Sequence, residues 1–468
     1  MAEATASVLI HGGIVMPMEG TRTVHDPGAV LVVDGVICAV GPIETVSMHP
    51  AASTVPRVDA SGHAVIPGLH NAHLHSGLLR GTAESMALWE WLENHVDPAH
   101  RALTPEIARA ASYMAYAEAV RGGTTSVLDM WRFMEGSAQA AADVGIRATL
   151  APYCADRYDY FESLESNRRL LESHLVAAEG RVRSWVGLEH LFYCSPEMFR
   201  AAAELAEEFG TGIHTHSSES IWEVEQCLRR FGRRPIEEMY QRGVLGTTTV
   251  IAHAVWLDDR EVEVLAQTGT AMTHCPCSNM KLSSGAARIG HYRARGVVCA
   301  LGTDGEKENN NLDMLEEMKF ASLLQKVSTL DPTTGDPWDV LDMATRSGAR
   351  ALGLADVTGS VEVGKQADLV TVDLRGLHFV PVMHGADFNV AAHLVFTASS
   401  HDVRDVWVGG RRVVADGTVV TVDEASIAVH AQAAAEDLFA RRRALAGRTP
   451  SPATDMGKLG DPSDGGVR

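Results

Sequence analysis

Between residues 65 and 304 the 468-residue chain alternates short apolar runs with helix-type repeats. The runs lie at 65–75, 124–130, 147–152, 185–193, 212–216, 249–253, 271–274 and 297–304. Helix-type patterns between or after them include 105–121, 196–209, 260–268 and 312–326. Strands that alternate with helices predict parallel pairing, and eight of them favour a closed (β/α)8 barrel of TIM type over an open sheet. The stretch 67–364 is long enough for that barrel. In a barrel the C-terminal ends of the strands share one face, where active sites sit. Five of the runs end on a histidine or an aspartate: His75, His216, His253, His274 and Asp304.

A different pattern frames this stretch. β-type runs at 7–11, 30–35 and 36–40 flank Asp34-Gly35, a hairpin-turn pair, and similar runs return at 367–373, 403–409 and 412–414. They predict a small composite β-sandwich domain built from residues 1–66 and 365–425. Residues 424–445 read as a C-terminal helix, giving a unit at 426–446. Residues 447–468, rich in Gly, Pro, Ser and Asp, read as a mobile tail.

Composition narrows the partners. The chain is 46% hydrophobic, enough for a substantial core without disulfides. Its seven cysteines are odd in number and form no C-x-x-C pair, which fits a reducing cytoplasm. The opening MAEATASVLIHGG has no basic segment leading into a long apolar one, so no signal peptide is expected. No window approaches the roughly 18 apolar residues of a membrane span. A net charge of −20 repels phosphate backbones and argues against nucleic-acid binding.

The residues that close the runs carry the chemistry. In a strand, residues i and i+2 face the same way, so His73 and His75 can both face the barrel mouth and hold one divalent cation. His214-Thr215-His216-Ser217-Ser218-Glu219 closes another run: His216 offers a third imidazole, and Glu219 lies close enough to move a proton. His214 lies deeper and can simply pack. His253 ends the run 249–253 and can polarise a water or a substrate atom. The C-x-C of Cys275-Pro276-Cys277 is discounted as a metal site, because no second cysteine pair exists and proline separates the thiols. Ser278 and Asn279 read better as polar pocket groups. Asp304 ends the last run, able to join three imidazoles and to accept a proton from water. Three or four N/O ligands with room for water describe a catalytic metal site rather than a closed structural one.

These segments, with PGLHNAHLH at 67–75, GGTTSVLDM at 122–130, HTHSSES at 214–220, HCPCSNMKLSSG at 274–285, GTDG at 302–305 and GSVEVGKQADLV at 359–370, resemble the amidohydrolase superfamily. The branch they resemble holds cytosine deaminase, S-adenosylhomocysteine/methylthioadenosine deaminase and the s-triazine hydrolases. The resemblance covers nearly the whole chain. It implies that His73, His75, His216 and Asp304 bind one metal, usually zinc, that Glu219 shuttles protons and that His253 orients the attacking hydroxide. His190 falls where nucleoside-deaminating relatives place a substrate-contacting histidine. Trp89, Trp91 and Arg132, beyond the first two strand ends, are further substrate-contact candidates. Two-metal members carry a modified lysine at the fourth strand; residues 185–193 hold none, so one metal is expected. Three features depart from the family: His70, a shorter loop from His75 to Gly81, and Glu306-Lys307-Glu308 where relatives often have small residues.

The resemblance thus implies a metal-dependent hydrolytic deaminase acting on the exocyclic amino group of a small N-heterocycle of purine, nucleoside, pterin, pyrimidine or triazine type. Iron(II) suits the same ligands as zinc. Dimers and tetramers are common in the family, so a homodimer or homotetramer is expected. Three rivals stand beside this reading. One is an s-triazine-type chlorohydrolase or alkylaminohydrolase, another an amide-bond hydrolase of a cyclic substrate. The third is a catalytically inactive assembly protein on the same fold, which expects lost ligands where none is missing. The His216…Glu219 spacing favours deamination.

Overall fold

The fold is that of a computed structural model, which describes residues 6–86 and 88–445. The predicted tail at 447–468 lies outside the described residues. Strands from both chain ends meet in one nine-stranded sheet, where His63–Pro67 lies between Val8–Val15 and Leu369–Asp373. The Asp34-Gly35 pair turns between His25–Val33 and Val36–Pro42 with both φ angles positive, +50° and +82°. Such a turn matches the strand twist. Apolar side chains line both faces of this sheet: Ile10, Val32 and Trp407 in one cluster, Leu9, Leu31 and Val46 in another.

The middle of the chain forms two arcs of parallel strands. Leu69–Leu74, Thr124–Trp131, Arg147–Pro152 and Val182–Ser184 make the first. Val186–Gly187, Ile213–Ser217, Thr249–His253, Ala271–His274 and Cys299–Leu301 make the second. Only Trp185 separates the arcs on one side; its N–H donates to Leu150 O at 2.8 Å. On the other side Asp304 N–H donates to His73 O at 3.0 Å. Leu69–Leu74, Thr124–Trp131 and Arg147–Pro152 are buried along their whole length, their polar residues included.

Helix ends follow the local chemistry. Pro105–Arg121 begins with Thr104 accepting from Ile107 N and proline in the first turn. Pro196–Phe209 begins on Ser195 in the same manner and stops at Gly210, in the left-handed region at φ +60°.

Three expected runs are shorter than read, one of them 297–304, where only Cys299–Leu301 is strand. Residues 65–75 divide into His63–Pro67, which joins the nine-stranded sheet, and Leu69–Leu74, which joins the first arc. Pro67 has no N–H to continue a ladder, and Gly68 approaches Thr125 so closely that a Cβ there would lie 2.0 Å from its Oγ1. In 185–193 only Val186–Gly187 is strand. The rest is loop whose backbone serves the site described below. The helix Ile221–Phe231, absent from the expectations, carries a buried glutamate to that site. No helix among the described residues is long and apolar enough to cross a membrane.

Candidate active site

Leu69–Leu74 and the residue after it bring His73 and His75 to the strand ends; Ile213–Ser217 brings His216; Asp304 follows Cys299–Leu301. Their donor atoms converge. His73 Nε2 and His75 Nε2 each lie 3.4 Å from Asp304 Oδ1, and His216 Nε2 lies 3.2 Å from His75 Nε2. Two overlapping sets able to hold a metal result: His73, His75 and Asp304, and His73, His216 and His253, with ligand atoms inside 4.8 Å. All five residues are buried.

The outer ring nitrogens decide what faces inward. His75 Nδ1 meets Met130 O at 2.7 Å and His216 Nδ1 meets Glu189 O at 2.7 Å. A carbonyl only accepts, so both Nδ1 atoms carry the hydrogen and both Nε2 atoms present lone pairs. His73 reaches the same state through a second histidine. His214 Nδ1 donates to Val250 O at 2.9 Å, leaving its Nε2 to accept from His73 Nδ1 at 2.8 Å. His73 Nε2 has no hydrogen-bond partner among the described residues. Three imidazole lone pairs and a carboxylate therefore face one point with no donor between them. That arrangement is repulsive alone and fits a divalent cation.

The charges agree. Burial lowers His73, and lowers His75 and His216 well below the usual imidazole range, keeping all three neutral. Burial alone would raise Asp304, but the His73 contact and the surrounding histidines hold it well below the carboxylate range. Ser278 Oγ donates to Asp304 Oδ2 at 2.7 Å and Gly305 N–H to Oδ1 at 2.8 Å. Asp304 and His253 sit at φ +60° and +71°, and Ser218 at +55°. Non-glycine residues in that region cost strain and concentrate where a side chain must be aimed.

Glu219 and His253 flank the cluster. His253 Nδ1 pairs with Asn279 Oδ1 at 3.1 Å, and its Nε2 lies 3.8 Å from Glu219 Oε2 and 3.9 Å from Asp304 Oδ2. Glu219 Oε1 accepts from Ser284 Oγ at 2.9 Å. Burial, with Asp304 nearby, raises the Glu219 carboxyl. His190 Nε2 lies 3.1 Å from Glu223 Oε1; burial would lower the imidazole, but Glu223 raises it.

A cavity opens over this cluster, lined among others by Trp89, Trp91, His190, Glu219, His253 and Asp304. Arg132 is not among its lining residues. Its guanidinium donates to His100 O at 2.6 Å and lies 3.5 Å from Glu162 Oε1. His70 is buried away from the cluster against Gly348, both ring nitrogens unpaired, and burial lowers it to about 4. Cys275 and Cys277 are buried thiols outside both donor sets, and burial raises both. Sequence reasoning missed Glu223, Glu189, Tyr153 and a defined role for His214. Glu223 was findable: a glutamate in the first turn of an amphipathic pattern directly after His216…Glu219 points back at the strand end.

The family model of amidohydrolases matches residues 64–413. The chain belongs to the amidohydrolase family. It is 38% identical over 441 residues to a 5'-deoxyadenosine deaminase of Methanosarcina mazei, covering 93% of this chain and 99% of that one. It is 38% identical over 428 residues to a 5-methylthioadenosine/S-adenosylhomocysteine deaminase of Syntrophobacter fumaroxidans, covering 90% and 96%. An adenosine deaminase from Xanthomonas campestris, solved with bound zinc, superposes with a TM-score of 0.86 at 31% identity, covering 92% and 98%. An atrazine chlorohydrolase from Arthrobacter aurescens, with zinc, gives 0.84 at 24% identity, covering 92% and 100%; that likeness speaks for the fold alone. This amidohydrolase shares the α/β, TIM-barrel-type architecture of these neighbours and is a metal-dependent hydrolase of C–N bonds.

Proposed function

We propose that this amidohydrolase removes the exocyclic amino group of an adenine-type heterocycle, releasing ammonia, with one zinc ion per chain held by His73, His75, His216 and Asp304. One observation carries the reading. Three inward lone pairs and a carboxylate lie beside Glu219, a partly buried glutamate whose carboxyl is raised above its usual value by burial. Iron(II) would suit the same donors. The names of the relatives above support the adenine-type ring.

When bound, such a dication lowers the pKa of water from about 15.7 toward about 7 and so supplies the nucleophile. Asp304, kept ionised among the histidines, accepts the first proton from that water. Glu219 gives its proton to the ring nitrogen next to the attacked carbon, takes the proton left on the attacking oxygen and delivers it to the amino group, which departs as ammonia; the proton held by Asp304 then restores Glu219. Such general acid–base work contributes roughly 10²–10⁴-fold. His253, oriented by Asn279, steadies the charge that develops on the attacking oxygen. His190, fixed by Glu223, and the indoles of Trp89 and Trp91 hold the ring. Arg132 is left out of this pocket, because its guanidinium is already engaged by His100 and Glu162.

The coarser architecture carries finer proposals. With 182–187 counted as one strand across Trp185, the two arcs close as one eight-stranded barrel over 67–364, the other junction lying between His73 and Asp304. Among the described residues, 6–66 and 365–425 form a separate β unit whose one nine-stranded sheet folds over as a sandwich, and 426–445 form a helical one. A homodimer or homotetramer in a reducing cytoplasm follows the family habit and the seven free thiols.

Ammonia release from adenosine, 5'-deoxyadenosine, 5-methylthioadenosine, adenine, cytosine and aminotriazines, assayed on the zinc-loaded chain, tests this. Turnover of an adenine-type compound is expected. No ammonia from any of them, or chloride from a chlorotriazine instead, overturns it.

A further inference from the structure

Two carboxylates on the cavity wall have no part in the steps above. Glu189 follows Val186–Gly187, and Glu308 lies in the short helix Glu306–Asn309 behind Asp304. Both line the cavity together with Glu219 and His190. Glu189 is 6% exposed and Glu308 5% exposed. The Oε2 atom of each has no hydrogen-bond partner among the described residues. Buried polar atoms are nearly always partnered, so two open acceptors on one cavity wall point to donors that a ligand brings.

The charges around them sharpen the choice. No lysine or arginine is among the lining residues. Lys307 is not among the lining residues, and its ammonium lies 2.6 Å from Glu308 Oε1. His190 is committed to Glu223. An anionic substituent would meet three carboxyl groups and no free cation on the wall, and an unpaired charge is costly in a buried site. A hydroxyl or an ammonium would meet two waiting acceptors.

We propose that Glu189 and Glu308 select the substrate. They accept hydrogen bonds from O–H or N–H donors on the part of the aminated heterocycle remote from the reacting amine. The pocket therefore takes neutral or cationic compounds and turns away those that bear phosphate or carboxylate. This rests on the deaminase reading for its ring, but not for its wall.

Three probes that share the ring separate the cases: adenosine, 5'-amino-5'-deoxyadenosine and adenosine 5'-monophosphate. Binding is read by calorimetry on the zinc-loaded full chain carrying Glu219→Gln, so that turnover does not interfere. The neutral and cationic probes are expected to bind about 100-fold more tightly than the monophosphate. Adding Glu308→Gln or Glu189→Gln is expected to weaken the cationic probe about tenfold and to narrow that gap with zinc content unchanged; Glu308→Gln also takes away the partner of buried Lys307 and is expected to lower the melting temperature. Monophosphate binding equal to adenosine overturns the proposal. So does a gap that neither glutamine alters, or a failure of all three probes to bind. The Glu189 carbonyl also holds His216, so if Glu189→Gln fails to fold, Glu308→Gln alone decides. Ammonia release by the wild-type chain is scored separately: the predicted binding order without ammonia overturns the deaminase reading and leaves this one standing.

Discussion

Two buried polar clusters occupy opposite ends of the parallel strands, and they are built on opposite plans. At the start of Arg147–Pro152, Arg147 donates from Nε and Nη2 to the two oxygens of Asp368, at 2.6 and 2.9 Å, and from Nη2 to Gln366 at 2.6 Å. Asp368 also accepts from Gly409 N at 2.7 Å. Donors and acceptors alternate there, and the cluster ties the first arc to the nine-stranded sheet. At the other end, His73, His75, His216 and Asp304 turn acceptors toward one another, and the donors they do have point outward to Met130, Glu189 and His214. Equal burial therefore does not mean equal purpose. A cluster that completes itself holds the fold together, whereas one completed only by something added is a site.

Substitutions can break this contrast, and the largest effect is expected on catalysis. Glu219→Gln should keep the metal and lower kcat by roughly 10²–10⁴-fold, checked by steady-state ammonia release beside metal analysis. Unchanged turnover would remove Glu219 from its role. Arg147→Met should act in reverse. It leaves Asp368 buried without a cation and should cost about 3–5 kcal/mol in denaturant unfolding, while metal per folded chain stays the same. His214→Phe tests the one imidazole ligand held by another side chain rather than by a carbonyl. Without an acceptor for its Nδ1–H, His73 loses its fixed tautomer, and metal affinity should fall about 10–100-fold in a chelator competition.

The smallest effect lies at the surface. Asp373 is held down to about 2, chiefly by hydrogen bonds from Arg375. A carboxyl depressed in the folded state adds stability above its unfolded pKa of about 3.9, and that stability is lost as pH falls toward about 2. The pair is solvent-screened, so Asp373→Asn should cost less than about 1 kcal/mol at pH 7 and nothing near pH 2, read from melting temperatures across that range.

Much of this contrast was legible in the sequence, and the illegible part has physical causes. Strand runs 147–152, 249–253 and 271–274 and helices 105–121 and 196–209 match the structure residue for residue, because full burial or strong capping writes itself into composition; the mostly exposed helix 424–445 matches as well. The metal-binding candidates were legible because i, i+2 spacing aims two side chains at one strand end. Glu189 and Glu308 were not, since a glutamate in a loop or a single helical turn looks the same in sequence whether it meets solvent or a cavity. Arg132 shows the opposite error: nearness to a strand end does not aim a side chain, and Glu162 and the His100 carbonyl turn it aside. The tautomer chain from Val250 through His214 to His73 depends on register between two strands, which no single run records.

The most direct test is metal stoichiometry, measured by elemental analysis on the purified full chain and on His216→Ala after equal exposure to zinc. One ion per folded wild-type chain and almost none in the variant is the expected result. Full occupancy in His216→Ala, or a wild-type chain that takes up no ion, would contradict a cation gripped where those four side chains meet.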